Sequence, residues 1–162
     1  MTHAVVDVNV PIVANGRNNG HHPDCQEACI DALRALMKTG CVYIDDGGEI
    51  LLEYTRYLRH SGQPGFGDAF FRFVVQNQGN RRRVHVIELP LHEERGYVDF
   101  PQDPRLKNFD RDDRKYAACA RKSGRRVMNA VDSDWLEARQ ALEQNGIVAH
   151  FVCGEDPADW FA

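Results

Sequence analysis

The chain has 162 residues, 43% of them hydrophobic and 27% charged, the size and balance of one ordinary globular domain, which excludes a fibrous repeat and a largely disordered polymer. A formal net charge of −4 excludes a uniformly basic nucleic-acid coat, so contact with a polyanion must come from local patches such as Arg81, Arg82 and Arg83, or Arg121, Lys122, Arg125 and Arg126. No apolar run approaches the roughly 20 residues of a membrane span, and no basic segment followed by an apolar one opens the chain, which predicts a cytoplasmic protein.

In chain order, Ala4 to Val10 reads as a short buried strand, interrupted by Asp7 and Asn9 and not continued by Pro11. The segment NGRNNGHHP is turn chemistry. Pro23 and Asp24 then start a helix in which Ala28, Cys29, Ala32, Leu33, Leu36 and Met37 follow helical spacing, and Gly40 ends it. Cys41 to Ile44 is a second apolar strand. Asp45, Asp46, Gly47 and Gly48 lead from it into a helix carrying Ile50, Leu51, Tyr54, Tyr57 and Leu58.

From Ser61 to Phe109 the pattern is less regular: a Gly and Pro turn, the aromatic segment DAFFRFVVQ, the triple arginine, a strand VHVIEL, and a loop with Pro90, Pro101 and Pro104. Regularity returns with an acidic cap at Asp110 and a helix through Ala120. A strand over Arg126 to Val131, a helix from Ser133 to Gln144 and a strand IVAHFV complete the chain. The alternation predicts an α/β fold, with a mainly parallel central sheet between two helical layers in one domain over 1–162 and an elaborated middle at 61–109.

Five cysteines, an odd number in a chain long enough to fold without staples, read as reduced thiols and not as a disulfide framework. His21, His22, Cys25 and Cys29 place four soft-metal ligands within nine residues, but their spacing matches no regular zinc pattern. Cys29 also fits the apolar stripe with Leu33 and Leu36, so core or surface thiols are the expectation.

Four acids carry the functional argument. Glu53 lies three residues after Ile50 and four before Tyr57, on the inward face of its helix, where a carboxylate needs an Arg, a Lys, a metal or a partly solvated cleft. Asp113 takes a similar place ahead of Tyr116 and Ala117, while Asp112 is rotated away by about 100°. Asp7 and Asp132 each end an apolar run, where a parallel sheet presents side chains to a ligand. Any one of Asp110, Asp113 and Asp132 could simply cap a helix. Together, a cluster of carboxylates repels itself and calls for a divalent cation.

These residues resemble the PIN-domain nucleases, metal-dependent ribonucleases, over the first 60 residues and the last 55 or so. The resemblance rests on VVDVNV, ILLEYTRYL, DRDDRKYAACA and VDSDW. It implies a PIN-like three-layer fold in which Asp7, Glu53, Asp113 and Asp132 are catalytic and hold Mg²⁺ or Mn²⁺ with Asp134, supported by Asn9 and Asp110. This chain has Val8 after its first motif acid, and Ala130 and Val131 before Asp132, where the family carries small hydroxyl residues. The implied activity is endonucleolytic hydrolysis of single-stranded RNA, as a toxin of a toxin–antitoxin pair or a defence effector.

An acidic pocket needs a basic rim to hold a polyanion, and Arg81, Arg82, Arg83, Arg111, Arg114 and Lys115 are the candidates. Phe66, Phe70 and Tyr97 are candidates to stack on bases. Partners implied are nucleic acid and an antitoxin or defence-system protein, and the apolar middle allows a homodimer. The competing reading is a noncatalytic PIN-like protein-binding or scaffold module. A receiver-like phosphoacceptor fits poorly, because Asp45 and Asp46 stand in the wrong order for it.

Overall fold

In a computed structural model, the described residues are 2–17 and 20–162. Five parallel strands form the central sheet: β1 (His3–Val6), β2 (Cys41–Asp45), β3 (Val84–Ile87), β6 (Arg126–Asn129) and β7 (Ala149–Phe151), in the order β3-β2-β1-β6-β7. A two-stranded antiparallel hairpin, β4 (Leu91–His92) and β5 (Gly96–Tyr97), stands outside it. With helices packed on the sheet, the architecture is three-layer α/β/α, as the alternation of patterns predicts. His21 lies in an isolated bridge with Phe161.

The helices are α1 (Asn9–Asn15), α2 (Pro23–Thr39), α3 (Glu49–Tyr57), α4 (Phe66–Gln76), α5 (Arg114–Ser123), α6 (Ser133–Glu137) and α7 (Arg139–Gln144). Connections β1 to β2 and β2 to β3 run outward in one direction, whereas β3 to β6 and β6 to β7 run in the other. Right-handed crossovers therefore place the two sets of helices on opposite faces. Helices α1, α2 and α4 pack against one another, and α5 crosses β1, β2, β3 and β6. The direction reverses between β1 and β6, which opens a crevice at their carboxyl ends, the place where open parallel sheets present ligand sites.

Several expected elements differ. The first strand stops at Val6, because Asn9, Val10 and Pro11 begin α1. Proline is tolerated there, in a first turn whose N–H groups have no intrahelical acceptor. The aromatic segment is helical: α4 buries Phe70, Phe71 and Val74 on one side, and Phe70 is fully enclosed, which removes it as a base-stacking residue. Phe66 is half-buried beneath the Arg34 guanidinium, and Tyr97 is half-buried in the hairpin. The expected helix from Ser133 to Gln144 breaks at Ala138 into α6 and α7.

Helices α1 and α4 approach so closely that a Cβ on Gly67 would stand 1.9 Å from the Pro11 carbonyl oxygen. Only glycine fits this crossing. Asp68, one residue on, is completely buried. Its carboxylate accepts from Arg59 N (2.8 Å), Gly65 N (3.0 Å) and Asn15 Nδ2 (3.2 Å), and pairs with Arg17 Nη2 at 2.7 Å, tying the start of the irregular middle to α1.

The expectation of reduced cysteines is corrected at one pair: Cys25 of α2 and Cys153, just beyond β7, form a disulfide across a sequence separation of 128. Cys29, Cys41 and Cys119 are free and buried. Among the described residues, no helix is long and apolar enough to cross a membrane.

Candidate metal centre

The crevice between β1 and β6 collects acids from three chain segments. Asp7 follows β1 directly and is buried; its backbone N–H donates to Met128 O of β6 at 3.1 Å, which fixes it across the strand gap. Its Oδ1 accepts from Asn9 N (3.0 Å) and its Oδ2 from the Trp135 indole (3.0 Å). Asp113 closes the single-turn 3₁₀ helix Arg111–Asp113 and is the N-cap residue of α5. Asp132 is the N-cap residue of α6, its Oδ1 accepting from Asp134 N at 2.9 Å. Asp110 caps the 3₁₀ turn through Asp112 N.

Oxygens of Asp7, Asp113 and Asp132 lie within 4.8 Å of one another, and so do oxygens of Asp110, Asp113 and Asp134. Asp113 belongs to both trios. Among the described residues no Lys, Arg or His stands in salt-bridge contact with any of these five carboxylates. The electrostatic consequence is large. Burial, followed by the Asp7, Asp132 and Asp110 charges, pushes the Asp113 carboxyl up to about 9. Burial, then the Asp132 and Glu53 charges, raises Asp7 to about 7, against the lowering effect of its bonds from Asn9 and Trp135. Asp134 is also raised, first by the Asp132 charge.

The donor set fits a hard divalent cation. Carboxylate oxygens about 2.1 Å from an octahedral ion are about 3.0 to 4.2 Å apart, so each trio needs only a small contraction to share one ion. An opposite charge at that point offsets the burial and the mutual repulsion that raise both carboxyls.

Two asparagines, Asn129 buried and Asn9 half-buried, build the floor. Asn9 Nδ2 donates to Asn129 Oδ1 (2.8 Å) and Asn9 Oδ1 accepts from Ala130 N (2.7 Å), while Asn129 Nδ2 donates to Asp132 O (3.1 Å). This lattice locks the turn after β6 against the turn after β1, so the support expected of Asn9 acts on the backbone.

Glu53 stands apart from both trios. Its Oε2 pairs with Lys115 Nζ at 3.4 Å and its Oε1 accepts from the Tyr116 hydroxyl, which also accepts from Val8 N. Of the partners a half-buried Glu53 demands, this structure supplies a lysine. Tyr57, placed with it on the inward face by spacing, is 55% exposed.

The expected basic rim is largely redirected. Arg81, Arg82 and Arg83 precede β3 and sit at the amino ends of the parallel strands, opposite the acids. Arg83 caps the end of α2 by donating to Leu36, Met37 and Lys38 carbonyls and covers Phe73. Arg114 is buried, donating to the Phe109, Lys107 and Arg95 carbonyls and lying over Phe100. Lys115 is the partner of Glu53. Arg111 remains exposed, with one bond to Glu94 O. A sheet reverses ends in a way that local sequence does not announce, and aliphatic stems of Arg and Lys are readily covered.

The residues that sequence reasoning missed are Asn129, Trp135, Tyr116 and Arg105. Arg105 shares a cavity of about 450 Å³ with Asn108, Asp110, Asp134 and Glu137. It is held there by Asp103 (2.7 Å) and Gln144 (2.6 Å). Asn129 carried a signal: a polar residue inside the apolar run VMNAV, mirroring Asn9 inside VVDVNV.

Comparison with protein-family models, curated proteins and solved structures found no match.

Proposed function

We propose that this chain is a divalent-cation-dependent phosphodiesterase, with Mg²⁺ or Mn²⁺ as the ion and single-stranded RNA as its substrate. The observation that carries the reading is Asp113, shared by two carboxylate trios that no cationic side chain among the described residues pairs with, at the crevice where the sheet reverses direction. Among the described residues, Glu53 is the one of the four motif acids that has a cationic partner, Lys115. When bound, the cation would supply Lewis-acid polarisation of a phosphoryl oxygen and a lowered water pKa.

The chain's own residues do the positioning. Asp7, Asp113 and Asp132 form the inner ligand set, and Asp110 and Asp134 extend it toward the cavity where Arg105 stands. Arg105 and Arg111 are the cations available to a phosphate on this side. Trp135 and Asn9 hold the Asp7 carboxylate in orientation, and Tyr116 with Lys115 fixes the Glu53 side chain. The PIN-like resemblance of the four acidic segments supports the same reading, as does the order in which they occur.

The test is cleavage of single-stranded RNA and DNA with Mg²⁺ or Mn²⁺ by the wild type and by Asp7→Asn and Asp113→Asn. Each substitution should lower the rate at least 100-fold, since a removed carboxylate takes away several kcal/mol of charge stabilisation. Full activity in either folded variant would sink the reading. A noncatalytic protein-binding role has one observation in its favour, the exposed Leu91, Val98 and Val86 around the hairpin and edge strand. No metal binding by calorimetry would favour that role instead.

A further inference from the structure

The amino end of α2 and the chain just beyond β7 bring together three sulfurs that the acidic crevice does not use. Cys25 and Cys29 lie one turn apart on the buried side of α2, and Cys153 follows β7 at the same end of the sheet. Cys25 and Cys153 are bonded, and Cys29 Sγ stands 3.7 Å from Cys153 Sγ. All three sulfurs lie within 4.8 Å of one another. A disulfide accounts for two of them. Thiolates about 2.3 Å from a tetrahedral zinc are about 3.8 Å apart, and Cys29 already holds that spacing from Cys153.

The surroundings suit a cation with one open position. Cys25 and Cys153 border a cavity of about 550 Å³ together with His22, Asp24, Ala28 and Val152. The wall is held in place: His22 N donates to Trp160 O at 2.9 Å and Ala162 N to Gly20 O at 2.8 Å. His22 itself is not a ligand. Its Nδ1 accepts from Asp24 N at 3.1 Å, so in the neutral ring Nε2 carries the proton and has no lone pair to give. Cys29 is completely buried, and burial pushes its thiol up to about 12, which leaves it inert as a free nucleophile.

We propose that the reduced chain binds one Zn²⁺ through Cys25, Cys29 and Cys153, with water from the cavity in the fourth position, and that this site and the disulfide are alternative states of one seam. A dithiol reductant passes two electrons and two protons to the Cys25–Cys153 bond and becomes a disulfide itself, leaving two thiols. Metal binding then forms three Zn–S bonds and releases the three thiol protons to solvent. The site is independent of the acidic crevice in residues and in ligand chemistry.

The test uses the full chain with excess Mg²⁺ present to fill carboxylate sites. One sample is kept oxidised and one is reduced by a phosphine, which becomes its oxide by taking oxygen from water while the sulfurs gain two electrons and two protons. Titration with Co²⁺ should give a thiolate-to-cobalt charge-transfer band saturating at one equivalent in the reduced chain and no band in the oxidised one. Cys29→Ala should weaken binding at least tenfold. X-ray absorption at the zinc edge of the reduced wild type should count three sulfurs. Absence of the band in reduced folded protein, a band unchanged by Cys29→Ala, or a count of two sulfurs or fewer overturns the proposal. The sulfur count decides it even where the variant fails to fold.

Discussion

At the residue scale, Asp7 and Asp113 show how one element end differs from another of the same composition. Burial, then the neighbouring carboxylate charges, raises both carboxyls above their ordinary value, whereas Asp68, with no exposed surface, is lowered. Burial alone would raise Asp68, but the N–H groups of Arg59 and Gly65, the Asn15 amide and Arg17 outweigh it. The two kinds of acid have opposite pH signatures. For Asp7 and Asp113 the folded state binds protons more tightly than the unfolded chain, so their contribution to metal-free stability is full below about 4 and is lost as pH rises through about 7 and about 9. Thermal melts of the metal-free protein should show Tm dropping across that window, and added Mg²⁺ or Mn²⁺ should restore it most at the alkaline end. A metal-free Tm that climbs over the same range would contradict the placement of these carboxyls.

Arg105 gives a second prediction at this scale. It is the guanidinium that borders the cavity shared with Asp110 and Asp134. Replacing it by Ala should raise KM for a phosphodiester substrate several-fold while leaving metal affinity, read by calorimetry, within twofold, because it removes a contact to phosphate and none of the carboxylates.

At the scale of elements, the junction of α1 and α4 is the part most sensitive to small changes. Gly67 allows backbone to meet backbone at the Pro11 carbonyl, and Asp68 ties the same junction to Arg59 and Gly65. Asp68→Ala should destabilise the fold by about 3 to 5 kcal/mol, since it strands two backbone donors and removes the partner of Arg17 and of the Asn15 amide N–H around a void. Chemical denaturation would measure it, and a loss under about 1 kcal/mol would show that water or a shifted Arg17 replaces the carboxylate. This junction was illegible in the sequence. Asp68 reads there as one acid in an aromatic stretch, and its worth comes from residues up to 53 positions away.

The pairing of Glu53 with Lys115 has the same character. Helical spacing places Glu53 half inward and demands a partner, and that much follows from the sequence. Which partner it takes depends on α5 lying across the sheet so that Lys115 and Tyr116 reach α3.

For the whole molecule, the disulfide is the long-range constraint. It joins residues 128 apart, and loop-closure entropy gives such a crosslink a stabilising effect of up to about 5 kcal/mol. A phosphine reductant in the presence of a chelator should therefore lower Tm by several degrees, and Cys153→Ser should reproduce the loss without reductant. An unchanged Tm in both would mean that the tail around Trp160 holds the seam by itself.

The sequence by itself determined the alternation of strand and helix, the parallel sheet that such alternation requires, and the positions of acids at element ends. These are local properties: periodicity, capping chemistry and the run of Val and Ile that a doubly covered strand needs. Tertiary structure alone decided which acids converge, that Asp113 is shared between two trios while Glu53 is neutralised, that three arginines lie at the far end of the sheet, and that Cys25 meets Cys153. Each depends on strand order and on the hand of the crossovers, and the order β3-β2-β1-β6-β7 is set by packing across the whole chain.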